Sequence, residues 1–126
     1  MNNIKDMIMN LQNNVINKVP AEELFLNVNN IAKQFQDITD IDDVLKCLSI
    51  VDDTMTMFIL SDILMYTSTK VTSPNRKSGF ASLGHACFEA YQRMAYTILK
   101  DYQSEEKHRL ASAKFIENAI YIWNSN

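Results

Sequence analysis

Four side chains in this sequence are of metal-holding type: Cys47, His85, Cys87 and His108. A zinc site needs donors at CxxC or HxxxH spacing, so that two of them share one face. His85 and Cys87 are two apart, which on a helix turns them about 200° from each other. No other pair has the spacing, so no metal and no cofactor is expected. The acidic run of Asp40, Asp42, Asp43, Asp52 and Asp53 has no EF-hand glycine and reads as helix caps and solvated turns. No GxSxG, phosphate loop or HExxH appears. No nucleophile–base pair stands out, and the chain reads as non-enzymatic.

Anion binding is the chemistry that the residues favour locally. Arg76, Lys77, Ser78 and Gly79 stand together, with Lys70 close by in sequence. They fall just before an apolar run starting at Phe80. A helix starting there would offer free N–H groups and the positive end of its dipole, which adjacent cations and a hydroxyl reinforce. Arg109 joins this set if the last helix folds back toward the loop. The candidate ligand-binding residues are therefore Lys70, Arg76, Lys77, Ser78 and Arg109, and the ligand class is an anionic nucleotide. Ile116, Glu117, Ala119 and Asn124, beside Trp123, are similar to the last helix of phage proteins that sequester cyclic oligonucleotides. That resemblance covers one helix and implies a cyclic nucleotide as the anion.

Six helices are predicted to carry these residues. Ile4, Ile8, Leu11 and Val15 mark the first, from about Asn3 to Asn17. Pro20 with Glu22 and Glu23 starts the second, whose stripe is Leu24, Val28, Ile31 and Phe35. Thr39 to Asp42 reads as a capping box before a short third helix that ends near Ile50. Asp52 or Asp53 caps a fourth, Thr54 to Tyr66, which is apolar on most sides and therefore central. Residues 68–79 are expected to form a mobile basic loop, long for a helix–helix connection. The fifth helix is placed from Phe80 to Tyr102, with Ser104 capping the sixth. The inward row of the sixth is read as Leu110, Ala113, Ile116, Ala119, Ile120 and Trp123. The last two helices form an antiparallel hairpin.

Composition agrees. The 126 residues include only two glycines and two prolines, against about nine and six at average usage, and turn-rich β folds need more. The expectation is an all-α single domain over residues 1–126: a compact bundle of five to six helices. The net charge of -3 speaks against duplex nucleic acid as a partner. Lys70, Arg76, Lys77, Arg93, Lys100, Lys107 and Arg109 would bind it only by sharing one face. Cys47 and Cys87 lie in apolar helical stretches and read as small core residues, which suits a reducing compartment. The longest apolar stretch, Met55 to Tyr66, falls short of the roughly twenty residues of a membrane span. No signal-peptide segment is evident at the N-terminus. A cytoplasmic protein is expected, in the host cytoplasm if viral. Thirteen asparagines, with many Ile and Lys, suggest an AT-rich source such as a phage, virus or mobile element. Six internal methionines add adaptable apolar surface. The leading reading is a regulatory or inhibitory interaction module, binding a protein partner or itself as a homodimer. The alternative is a small-ligand binder that sequesters the anionic nucleotide.

Overall fold

The computed structural model describes residues 2–125. They form six α-helices in chain order: α1 (Asn2–Ile16), α2 (Ala21–Gln36), α3 (Ile41–Ser49), α4 (Thr54–Lys70), α5 (Pro74–Ile98) and α6 (Tyr102–Trp123). No strand occurs among the described residues. α4 is the central element, as its all-round apolarity predicts. It packs along α5 and against α2 and α1, while α5 and α6 make the most extensive helix pair. Ile4, Ile8, Leu11, Ile31, Phe35, Leu60, Ile63, Leu64, Phe80 and Leu83 form one buried cluster. α1 is also held by a polar contact. The buried Gln12 side-chain amide oxygen accepts from the backbone N–H groups of Asp52 and Asp53 at 2.9 and 3.1 Å, tying the first helix to the start of α4.

The scarcity of glycine is met in an unusual way. α1 and α5 both end in a Schellman arrangement whose left-handed residue is a lysine, Lys18 at φ 57° and Lys100 at φ 60°. At the second turn the Asp101 N–H reaches the Tyr96 carbonyl at 3.0 Å, and the Lys100 N–H reaches Thr97 at 3.1 Å. Glycine is the residue usually found at this position. The two glycines present serve close helix approach instead. A Cβ at Gly79 would lie 2.6 Å from Trp123, and one at Gly84 would lie 2.7 Å from the Met65 sulfur.

Several boundaries differ from the sequence reading, including the end of α5, which stops at Ile98 and not Tyr102. The expected mobile loop over 68–79 is largely helix: α4 continues to Lys70, α5 starts at Pro74, and only Val71, Thr72 and Ser73 connect them. Pro74 takes the first helical position, where its missing N–H costs nothing. Ser73 is the cap, its hydroxyl accepting from the Arg76 N–H. The cap of α3 is Asp40, which accepts from the Asp42 N–H at 3.0 Å, in place of a box from Thr39. The cap of α6 is Asp101 and not Ser104. Its carboxylate takes both the backbone N–H and the hydroxyl of Ser104, and these bonds hold the carboxyl below its ordinary range. The inward row of α6 holds only in part. Ala119 and Trp123 are buried as expected, but Leu110, Ala113 and Ile120 are exposed, and the unexpected Ser112 is buried. Ser112 donates to the Ala86 carbonyl and Ser82 to the Phe115 carbonyl, at 2.9 and 2.7 Å. Small hydroxyl side chains thus let α5 and α6 approach closely, and a reading by apolarity passes over them.

Candidate functional site

The basic residues singled out by sequence are placed by the ends of three helices. Arg76 and Lys77 lie in the first turn of α5, within the helix and not ahead of it. Arg76 points back across α2, where its guanidinium donates to the Gln36 carbonyl at 2.5 Å. It also covers the Phe80 and Trp123 rings, 5.9 Å from each centroid. Its Nε is buried with no hydrogen-bond partner among the described residues. Lys77 donates to the Ser68 carbonyl at 3.0 Å, while the Ser68 hydroxyl donates to the Lys77 carbonyl at 2.8 Å. Both cations therefore complement the negative C-terminal ends of neighbouring helices, α2 and α4.

The other three candidates lie apart or exposed. Lys70 ends α4 with its ammonium 5.2 Å from the Tyr66 ring. Ser78 is exposed. Arg109 is ion-paired with Glu106 on the α6 surface, which raises its pKa. It follows His108, whose Nδ1 lies 2.5 Å from Glu89, and Glu89 is about thirteen residues, or about 20 Å of helix, beyond Arg76. The antiparallel hairpin sets this separation, because the start of α5 meets the end of α6. Arg109 is not brought to Arg76 and Lys77. Trp123, named with the C-terminal helix, is buried edge-on to Phe80, and its indole N–H donates to the Thr39 carbonyl at 2.9 Å.

The thiols are core groups. Cys47 and Cys87 are both free and buried. Burial pushes the Cys87 thiol up to about 12 and the Cys47 thiol up to about 11, with Asp43 adding to the second and Lys5 partly offsetting it. No group of three His, Cys, Asp or Glu side chains able to hold a metal ion occurs among the described residues. His108 is stacked on Tyr96, ring centroids 5.3 Å apart, besides its contact with Glu89. Together they staple α5 to α6.

From Phe88 to Ala111 no residue is buried, although Cys87 and Ser112 on either side are. The second half of α5 and the first half of α6 form a two-helix arm, packed on α4 and the core at its base through Phe88, Ala90, Tyr91 and Met94 and exposed toward its tip. Ile98 is 70% exposed, Leu99 71% and Tyr102 66%. At the base of the arm lies an apolar groove of about 380 Å³, walled by Leu45, Leu48, Met57, Ala86, Ala90 and Ile116. A second groove, about 450 Å³, runs between α2 and α4 past Phe25, Ile59 and Tyr66. Among the methionines, Met9 and Met55 are exposed and Met57 is buried. No α-helix is long and apolar enough to cross a membrane among the described residues. Compared with protein families, with curated proteins and with solved structures, the chain matches none of them.

Proposed function

We propose that this protein is a non-enzymatic helical interaction module that binds a protein partner or itself through helix faces. The arm carries this reading. A helical hairpin with no fully buried residue between Phe88 and Ala111, which displays Ile98, Leu99 and Tyr102 at its tip, has a face suited to a partner. Contiguous apolar surface of this kind on a small domain marks interaction sites. The grooves beside α3 and α2 supply further apolar surface of the same character. The two free, buried thiols support action in a reducing compartment such as the cytoplasm.

Native mass spectrometry of the protein in the lysate of its producing cell tests the reading. The expected species is heavier than the 14.5 kDa chain by the mass of a second polypeptide. The Ile98→Glu/Leu99→Glu variant, folded by circular dichroism, should appear as the bare chain. Wild type appearing only as the bare chain would refute it, as would a complex indifferent to the two substitutions.

A further inference from the structure

The apolar seam of α5 is longer than the helix that covers it. α4 runs antiparallel to α5: Ser68 meets Lys77, Met65 meets Gly84, and Phe58 meets Phe88 and Tyr91 at ring distances of 6.4 and 5.0 Å. Stepping on three or four residues at a time keeps to one helix face, and the same row continues through Met94, Ala95 and Ile98. α4 begins at Thr54, one turn before Phe58. The cover of α4 therefore ends about one turn beyond Tyr91, at the half-buried Met94 and Ala95. From Ile98 the seam has no covering helix, and Leu99 and Tyr102 lie beside that end.

Resting on the interaction-module reading, we infer that the occupant is a second copy of this chain, the two arms lying antiparallel about a two-fold axis across the α5 seam. Charge favours a like partner. The arm holds four acids, Glu89, Asp101, Glu105 and Glu106, and four bases, Arg93, Lys100, Lys107 and Arg109. It is neutral in a chain of net charge -3, so two arms meet without net repulsion, as a self-complementary two-fold contact requires. The dipoles agree as well. A partner α5 laid antiparallel runs in the direction of α4, and its C-terminal end faces the N-terminal end of α4, negative against positive.

Area closes the argument. Met55, Phe88, Ile98, Leu99 and Tyr102 are 52, 38, 70, 71 and 66% exposed. With about 150–250 Å² for a large side chain, they present on the order of 500 Å² of apolar surface. A standard interface takes about 800 Å² per partner, a little over half of it apolar. The arm thus carries the apolar share of one half of a dimer.

Sedimentation of the purified chain, at about 10–100 µM where a micromolar Kd is read, tests this. Wild type should sediment at twice the 14.5 kDa chain mass. Ile98→Glu/Leu99→Glu should weaken self-association by at least about 100-fold, because a carboxylate without a partner resists burial. Leu110→Glu, on the far face of α6, should stay dimeric. A wild-type monomer overturns the proposal, as does a dimer that survives Ile98→Glu/Leu99→Glu or is lost in Leu110→Glu. If the pure chain is monomeric but the lysate complex persists and depends on Ile98 and Leu99, the second copy fails and the wider reading stands. A bare chain in both experiments overturns both.

Discussion

At Arg76 a single guanidinium joins three parts of the molecule. It ends on the last carbonyl of α2 and lies over Phe80 of α5 and Trp123 of α6. A charge-assisted hydrogen bond contributes about 1.5–3 kcal/mol, and the side chain also shields two core rings. Arg76→Ala should therefore destabilise the fold by about 1.5–3 kcal/mol, and Lys77→Ala, whose exposed ammonium reaches one carbonyl, by under about 0.5 kcal/mol. Urea unfolding of the two variants separates them. Equal midpoints would show that the Gln36 contact contributes nothing. Sequence reading places both residues in a mobile basic loop. Arg76 is instead drawn inward, because a cation is pulled toward an unpaired carbonyl at a helix end within its reach.

Among the elements, α5 depends on two glycines that face different neighbours. Gly79 faces Trp123, a rigid ring fixed by its hydrogen bond to Thr39 and by Phe80. Gly84 faces the flexible, partly exposed side chain of Met65. A methyl at Gly79 must displace the ring or part α5 from α6, an overpacking cost of about 1–3 kcal/mol. At Gly84 the Met65 side chain can move, but its backbone nitrogen lies 3.3 Å from the added methyl, so α4 must give by a few tenths of an ångström. Alanine's better helix propensity, about 1 kcal/mol, offsets part of that strain. Thermal unfolding should place Gly79→Ala well below wild type and Gly84→Ala between the two. The reverse order would mean that the α4–α5 contact, and not α5–α6, is the tighter.

At the scale of the whole molecule, the two buried thiols should make stability fall at alkaline pH. Both folded-state values lie above the ordinary value of about 9, Cys47 at about 11 and Cys87 at about 12. Below pH 9 each thiol is protonated in both the folded and the unfolded chain, and its contribution is constant. Above it the unfolded chain loses protons that the folded chain keeps. Stability therefore falls as pH rises from about 9 toward 11–12, by up to about 1.4 kcal/mol per pH unit for one thiol. Urea unfolding at pH 8 and pH 10 should show this loss, reduced in Cys47→Ala/Cys87→Ala. An unchanged loss in the double variant would assign it to other groups. At pH 8 both thiols should resist alkylation until the chain unfolds.

What the amino-acid sequence determined by itself is local. Periodic apolar rows, Pro20, Asp caps and the near absence of glycine are enough for six helices, a central α4 and a closing hairpin, because helix formation is decided within a few turns; the start at Pro74 was not among these signals. The buried cysteines were legible for the same reason. Tertiary structure decided which face of each helix is covered and how far along. The row from Phe80 to Ile98 looks uniform in sequence, yet α4 ends its cover near Met94, and the remainder becomes the exposed tip of the arm. Ser82 and Ser112 look like surface residues, yet they line the α5–α6 contact because a neighbouring carbonyl satisfies each hydroxyl. Arg76, Lys77 and Arg109 look like one anion site, yet an antiparallel pair separates residues by helix length. Burial depends on the position of another helix, and no residue's type or spacing records that position.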